Sequence, residues 1–245
     1  MTIQKGEVEE EEPCGNMIEL MYRSGFCDQE ILDEVNTMIN AGFETTSGAV
    51  HFLMFLLALN QEHQLICRQE IDSIFNDPMK CQNGILSCDA LSDMKHLERC
   101  ILETLRIFPL AFSMMRKLDI PLKLDEKTEL PAGTTVGVLN FTLHNNPEYF
   151  PNPTEFQPDR FLPENCRKRH PYAYMPFSVG PRNCIGMKFA MLESKTMAAH
   201  ILRNFEVCTS DKIGDVAILP DILMTPERDY NFLLKKRVHS KTHLK

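Results

Sequence analysis

The sequence presents one cysteine in a loop whose residue types suit a thiolate. Residues 177–186 read F-S-V-G-P-R-N-C-I-G, and Cys184 lies just before a segment with the apolar spacing of a helix. A helix N-terminus offers N–H donors and positive potential, and both stabilise a thiolate. Gly180 and Gly186 either adopt backbone angles closed to other residues or allow a flat ligand to approach closely, and Arg182 can bind a carboxylate with both arms of its guanidinium. The pattern favours a functional thiolate over the alternative, an ordinary buried cysteine.

A second group of chemically useful residues is the pair Glu103 and Arg106, in the sequence E-T-L-R. Residues 95–108 have helical apolar spacing, so side chains three apart share one face of the predicted helix. By itself the pair is weak evidence of function, because exposed pairs at this spacing are common and stabilise little.

A third group is the run A-G-F-E-T-T at residues 41–46, inside a predicted helix over residues 28–59. Glycine in a helix interior costs about 1 kcal/mol relative to alanine, so we interpret Gly42 as opening the helix face to a ligand. The hydroxyls of Thr45 and Thr46 can bond back to helix carbonyls and loosen the ladder. The alternative is an ordinary helix interior with incidental threonines.

Taken in this order, the motifs resemble those of the cytochrome P450 haem-thiolate monooxygenases, over residues 28–234. In that family the cysteine of F-x-x-G-x-R-x-C-x-G ligates haem iron, and the thiolate favours cleavage of the O–O bond. The resemblance therefore implies that haem b binds at Cys184, with Phe177 and Gly186 in the same loop. It also implies that Arg116 and Arg182 pair with the haem propionates.

The resemblance assigns roles to the other motifs as well. The E-x-x-R pair, Glu103 and Arg106, is expected to form a structural lock behind the haem with Arg160 of a later P-x-R-F segment. The A-G-x-(D/E)-T-T motif is expected to form an oxygen groove in which Glu44 and Thr45 supply protons for O2 cleavage. The expected substrate-pocket walls are Ala41, Ala111, Phe112, Met115 and Met224.

The residue sequence of the cysteine loop at residues 177–190 and the run L-H-N-N-P-E at residues 143–148 are most similar to those of the fatty-acid ω-hydroxylase clan, family four. Many members of that clan carry a glutamate immediately before the glycine of the oxygen-groove motif, and it forms an ester bond to the haem. This chain has Ala41 there, so we predict non-covalent haem.

The function that the resemblance implies is insertion of one oxygen atom from O2 into an apolar, fatty-acid-like or xenobiotic-like substrate. Electrons would come from NADPH through a partner reductase, at the cytosolic face of the endoplasmic reticulum membrane. One alternative is a haem-thiolate isomerase or dehydratase that needs no external electrons, although Glu44 and Thr45 argue against it. The other is a truncated, non-catalytic fragment or a haem-binding regulatory partner.

Composition narrows the possible partners. The net charge of −8 argues against nucleic acid. Nine cysteines without a C-x-x-C pair argue against a disulfide scaffold. His96 and Cys100 have the spacing of metal ligands on a helix, but with no second pair nearby we do not predict a zinc site. A basic cluster beside the cysteine loop either docks an acidic reductase or is a solvated face: Arg167, Lys168, Arg169, Arg182 and Lys188.

The elements that must position these residues are mostly helical. We predict a mainly α fold with small β-sheets, corresponding to the C-terminal half of the cytochrome P450 fold, from the oxygen-groove helix through the cysteine loop to a C-terminal hairpin. Residues 1–27 are expected to be an acidic flexible segment, residues 28–236 a partial haem-thiolate domain, and residues 237–245 a flexible tail. No membrane span is predicted, because the longest apolar stretch, residues 49–59, falls short of about 20 residues.

Apolar periodicity predicts four long helices, at residues 28–59, 60–75, 95–108 and 187–204. Residues 145–176 contain many prolines and are expected to form an irregular meander. Two strand pairings are predicted: residues 120–124 with residues 134–139, and residues 216–224 with residues 230–235.

Overall fold

The computed structural model describes residues 15–238, and within that range the chain is mainly helical with small antiparallel sheets, which confirms the predicted fold class. The helices are α1 (Met17–Arg23), α2 (Asp28–Leu59), α3 (Gln61–Phe75), α4 (Cys88–Asp93), α5 (Lys95–Ile107), α6 (Asn140–His144), α7 (Pro163–Cys166) and α8 (Met187–Asn204). The strands are β1 (Cys81–Gln82), β2 (Ile85–Leu86), β3 (Ser113–Lys117), β4 (Leu122–Lys123), β5 (Glu129–Leu130), β6 (Thr135–Leu139), β7 (Phe205–Thr209), β8 (Ile218–Pro220), β9 (Met224–Pro226) and β10 (Phe232–Lys236). The four long helices confirm the predictions from apolar periodicity, two of them at both ends.

The chain divides into two compact units between Glu44 and Thr45, inside α2. In the first unit, the Asn16 side chain caps α1 by accepting the Glu19 N–H at 3.0 Å. The Tyr22 hydroxyl donates to the Asp28 carboxylate at 2.8 Å and links α1 to the start of α2. Residues 17–23 are therefore helical, although the expected flexible segment included them, because a capping residue and a buried Met21 follow the acidic run. Residues 1–14 of that segment lie outside the described residues.

The core of the second unit is built around the C-terminal half of α2. Phe52 and Phe55 are 1% exposed, and Leu56 and Leu57 are fully buried. Phe52 stacks on Phe108 with ring centroids 4.4 Å apart. The remaining core side chains come mainly from α3, α5 and α8: Cys67, Ile71, Leu97, Ile101, Ala198, Ala199 and Leu202.

By length and composition alone, α2 is long and apolar enough to cross a membrane, which differs from the sequence expectation. In this structure 56% of its most apolar window is buried. Core helices of globular proteins show the same combination of apolar residues and burial.

Ion pairs hold the middle and the C-terminal end of α8, the helix that follows the cysteine loop. The Lys195 ammonium donates to the Leu91 carbonyl at 2.9 Å and to the Glu98 carboxylate at 2.7 Å. Near the C-terminal end, the Asp72 carboxylate on α3 accepts from Arg203 and from Arg237. Arg237 is therefore anchored although it was expected in the flexible tail, of which residues 239–245 lie outside the described residues.

Both predicted strand pairings are wrong. Strand β4 pairs with β5, and β6 pairs with β3 instead of with residues 120–124. The cause is a tight turn in which the Asp125 carboxylate accepts the N–H groups of Lys127 and Thr128, so β4 closes on its nearest neighbour.

The predicted C-terminal hairpin also pairs differently. Strand β8 pairs with β9, so residues 216–224 contain most of a short hairpin of their own. Strand β10 pairs over five residues with β7, from Phe232 opposite Thr209 to Lys236 opposite Phe205. Since β7 directly continues α8, this pairing connects the C-terminal strand to the helix that begins after the cysteine loop.

Candidate functional site

The cysteine loop is a tight turn closed by its own backbone. The Cys184 N–H donates to the Phe177 carbonyl at 2.9 Å, and the Asn183 N–H donates to the Gly180 carbonyl at 3.1 Å. Ser178 and Gly180 have positive φ angles of 62° and 83°. The side chain of Cys184 is exposed at the end of this turn, just before α8 begins at Met187.

The two glycines of the loop do different things. Gly180 has the left-handed backbone that glycine adopts without strain. Gly186 does not, because its φ is −83°, so the first explanation offered for it is wrong. A β-carbon added at Gly186 would lie 3.8 Å from the Cys184 sulfur, and its absence therefore keeps space open beside the thiol.

Two arginines meet beside the cysteine. Arg116 from β3 and Arg182 from the cysteine loop line one open cleft of about 640 Å³, together with Pro181, Asn183 and Ile185. The Arg116 guanidinium donates to the Met115 carbonyl at 2.8 Å. Within residues 15–238 neither guanidinium forms an ion pair with a carboxylate, so both charges remain available to an anionic ligand. An exposed thiol beside two such cations fits a haem with two propionates.

The structure brings Glu103, Arg106 and Arg160 together in the interior. Arg106 donates to both oxygens of the Glu103 carboxylate, at 2.8 and 2.9 Å, and both side chains are 0% exposed. The Arg160 Nε lies 3.3 Å from the same carboxylate, as an ion pair without good hydrogen-bond direction. The Gln157 N–H completes the set at 2.9 Å. A buried carboxylate with this many donors is satisfied rather than reactive, which suits a structural lock.

Residues that the sequence analysis did not single out connect this lock to the cysteine loop. Arg106 donates to the His144 carbonyl at 3.1 Å, and the His144 Nε2 accepts the Met175 N–H at 2.9 Å. The Tyr174 hydroxyl donates to the Leu102 carbonyl at 2.7 Å. Met175 in turn accepts the Ser178 N–H at the start of the loop. The sequence signal for this connection was the single histidine of the L-H-N-N-P-E run. Its hydrogen-bond partners are far away in sequence, so the run by itself did not reveal them.

Burial sets the charge state of His144. It lowers the pKa of His144 to about 4, against a smaller opposing contribution from the Leu105 carbonyl. The ring is therefore neutral near pH 7, and because Nε2 accepts from Met175, the proton sits on Nδ1. Burial likewise raises the pKa of Tyr174 well above its usual value, so its hydroxyl stays protonated and donates.

Glu44 and Thr45 occupy consecutive positions of α2, which is an unbroken α-helix from Asp28 to Leu59. Glu44 is exposed, Thr45 is half-buried and Thr46 is buried. The glycine with a close neighbour in this segment is Gly48, where a β-carbon would lie 3.0 Å from the end of the Leu110 side chain, whereas a β-carbon at Gly42 would meet no atom within 4 Å. The sequence analysis had considered Gly42 instead.

The predicted pocket residues fall into two environments. Met115 is 60% exposed and Ala111 is exposed, whereas Met224 is 6% exposed and belongs to the core. The Met224 N–H donates to the Leu110 carbonyl at 2.9 Å, which places Met224 beside the segment of Ala111 and half-buried Phe112. Ala41 is exposed on α2 in the other unit.

The basic cluster near the cysteine loop is smaller than the sequence indicated. The Arg169 guanidinium lies over the Phe150 ring, 4.3 Å from its centroid, and donates to the Arg160 carbonyl at 2.9 Å. Burial lowers the pKa of Arg169. Arg169 therefore supports the lock, while Arg167, Lys168, Arg182 and Lys188 remain exposed.

Several known proteins are similar to this chain in sequence. The family model for cytochrome P450 matches residues 13–233. Cytochrome P450 4c3 of Drosophila melanogaster is 40% identical over 200 residues, which is 82% of this chain and 37% of that protein. Cytochrome P450 4V2 of Rattus norvegicus is 38% identical over 209 residues (85% and 39%), and cytochrome P450 4X1 of Homo sapiens is 39% identical over 213 residues (87% and 41%). The chain thus spans about two fifths of the length of the curated relatives it matches.

Proposed function

This chain belongs to the cytochrome P450 family, with family-four members among its relatives, and we propose that it contains the haem-thiolate site of a monooxygenase. The reaction is insertion of one oxygen atom from O2 into an apolar substrate, fatty-acid-like or xenobiotic-like. The observation that carries this proposal is the exposed Cys184 beside a cleft lined by Arg116 and Arg182, neither of which is paired with a carboxylate of residues 15–238.

Two arginines of the cleft and two residues of the cysteine loop would hold haem b. The Cys184 sulfur would ligate the iron, and Arg116 and Arg182 would bind the two propionates as charge-assisted hydrogen-bond donors. Gly186 leaves the space beside the sulfur open, since no β-carbon stands there. The bound haem supplies the O2 activation, and the thiolate ligand favours O–O cleavage. Binding is non-covalent in this proposal, because Ala41 has no carboxylate with which to form an ester.

Protons for the reaction come from the protein. The Glu44 carboxyl is exposed and can exchange protons with water, while the half-buried Thr45 hydroxyl is the next group along α2. We assign proton delivery in this reaction to Glu44 and Thr45, the acidic and hydroxyl groups of the motif. Glu103, Arg106 and Arg160 take no part in the chemistry, because they form ion pairs with one another in the interior.

The proposal extends to the partners and the location of the protein. An NADPH-dependent reductase supplies electrons by docking near the cysteine loop, where Arg167, Lys168 and Lys188 are exposed. The place of action is the cytosolic face of the endoplasmic reticulum membrane. Met115 and Ala111 are exposed and supply part of the substrate-pocket wall.

A carbon-monoxide difference spectrum of the reduced, haem-loaded 245-residue chain tests the site directly. We expect a long-wavelength Soret band typical of thiolate ligation, and loss of that band in Cys184→Ala. The matched control is Cys166→Ala, which removes another exposed thiol and should leave the band unchanged. An identical spectrum for Cys184→Ala and the unchanged chain would overturn the assignment.

The reaction type needs a second measurement, in which the haem-loaded protein is given substrate with and without NADPH and a reductase. Product formation that requires NADPH and a reductase supports the monooxygenase. Turnover of a hydroperoxide without external electrons would instead indicate the isomerase or dehydratase chemistry, and the spectrum of the site would be unaffected by that outcome.

A further inference from the structure

The structure brings two identical pairs of metal-binding residue types face to face, far from the cysteine loop in sequence. His63 and Cys67 are four residues apart on α3, and His96 and Cys100 are four apart on α5. The Cys67 and Cys100 sulfurs are 3.7 Å apart. The His63 Nδ1 and the His96 Nε2 are 3.3 Å apart. The sequence analysis had found no second pair near His96 and Cys100, because the pairing depends on how the two helices pack.

We propose that these four side chains form a zinc site that is separate from the haem site. Zn–S and Zn–N bonds of about 2.3 Å and 2.0–2.1 Å put the corners of a tetrahedron about 3.8 Å apart for two sulfurs and about 3.3–3.4 Å for two nitrogens. The observed sulfur–sulfur and nitrogen–nitrogen distances fall close to both values. The ligand atoms of Cys67, His96 and Cys100 already lie within 4.8 Å of one another. The His63 ring, whose Nδ1 is 3.3 Å from the His96 Nε2, lies outside that group of three and would turn toward it to supply the fourth ligand.

The site is held by rigid elements and has a path from the surface. Cys67 and Cys100 are fully buried and His96 is 7% exposed, whereas His63 is only half-buried. The Glu70 carboxylate on α3 accepts the N–H groups of His96 and Leu97 at 2.9 and 3.0 Å, which fixes the start of α5 against α3. A small soft-ligand site on two packed helices is the kind that Zn²⁺ occupies structurally. His63 provides the opening through which an ion would enter.

Arg99 regulates access to the His96 ligand. Its guanidinium Nη2 lies 2.9 Å from the His96 Nδ1 and can only donate, so Nδ1 accepts and the ring proton is on Nε2, facing His63. Zinc can bind Nε2 only when that proton moves to Nδ1 and Arg99 turns away. Asp159, with a carboxylate oxygen 3.4 Å from the Arg99 Nε, is placed to hold the displaced guanidinium. The two thiols lose their protons, so each Zn²⁺ binds with the release of two protons.

The test is titration of the full 245-residue chain, stripped with a chelator under reducing conditions, with Co²⁺ and then Zn²⁺. We expect one ion per chain, a sulfur-to-cobalt charge-transfer band, and displacement of Co²⁺ by Zn²⁺. Cys67→Ser and Cys100→Ser should weaken binding at least tenfold. The matched control is Cys166→Ser, which removes an exposed thiol that has no part in either site and should leave the stoichiometry unchanged.

A gain-of-affinity variant separates the proposal from simple misfolding. In Arg99→Gln the amide oxygen can accept the Nδ1–H of a zinc-bound His96, so we expect at least tenfold tighter binding. Unchanged or weaker binding in Arg99→Gln would overturn the proposal, as would equal Co²⁺ binding by Cys67→Ser and the parent chain. Formation of a Cys67–Cys100 disulfide, seen as a chain lighter by the two thiol hydrogens after metal-free incubation in air, together with no metal uptake by the reduced chain, would also overturn it.

Discussion

Replacing Glu103 with glutamine tests the most heavily charged contact in the interior. The substitution keeps the size and shape of the side chain but removes the negative charge that faces Arg106 and Arg160. Arg106 is 0% exposed, so no water can replace the lost counter-charge. An amide also brings an N–H₂ group toward a guanidinium that only donates, which leaves at least one donor without an acceptor.

The expected loss is large compared with the stability of a domain. Removing one partner of a buried ion pair costs about 3–5 kcal/mol, because it leaves an uncompensated charge. Domains are stable by only about 5–15 kcal/mol in total. With a urea m-value of about 3 kcal/mol/M, Glu103→Gln should lower the unfolding midpoint by about 1 M or more.

The chain has no tryptophan, so unfolding is best followed by far-ultraviolet circular dichroism of its helices. The matched control is Asp93→Asn, also an acid-to-amide change, which breaks the Lys80–Asp93 contact of 2.8 Å at the surface. The first contact of the Glu103 carboxylate is equally short, so the two variants differ in burial and in the number of partners but not in the length of that contact. Asp93→Asn should leave the midpoint unchanged within error. Equal midpoint shifts in the two variants would refute the argument that burial makes the lock strong.

Three further predictions concern the residues around the site. Burial lowers the pKa of His144 from 6.5 to about 4, so in this pH range the unfolded chain takes up a proton that the folded chain does not. The free energy of unfolding should therefore fall by up to about 3 kcal/mol as the pH drops from 6.5 to 4, and this pH dependence should vanish in His144→Asn. Parallel pH profiles of unfolding for the two chains would contradict the prediction. Gly180→Ala should lower the free energy of unfolding by about 1 kcal/mol, because the φ angle of Gly180 is 83°. Gly186→Ala should leave the free energy of unfolding unchanged and weaken haem binding instead, because the added methyl lies beside the Cys184 sulfur. Identical effects of the two changes on both measurements would be inconsistent with this reasoning. In the haem-loaded protein supplied with a reductase, Thr45→Ala should keep haem bound but divert reducing equivalents to hydrogen peroxide, measured as peroxide formed per NADPH consumed. Full coupling in this variant would remove Thr45 from the proton path.

Some of the structure follows from local sequence signals. The bounds of α2 and α8 agree with the apolar periodicity at both ends, because each helix forms its hydrogen bonds within itself and needs one apolar face. The tight turn of the cysteine loop could also be predicted from the sequence, since Gly180 supplies a backbone conformation that few other residues accept. The resemblance to a haem-thiolate family rested on the same short runs, and the family comparison confirmed it.

What the tertiary structure decided is which distant groups meet. Strands β6 and β10 each had several possible partners of similar composition, and the choice depended on the tight turn at Asp125 and on β7 continuing directly from α8. The convergence of Arg116 and Arg182 on one cleft depended on the position of β3 relative to the cysteine loop. The opposed histidine–cysteine pairs on α3 and α5 had the right spacing in the sequence, but spacing along one helix carries no information about which face a second helix presents. Packing of side chains from distant segments settles that choice, and so the sequence alone could name the candidate ligands but not assemble them.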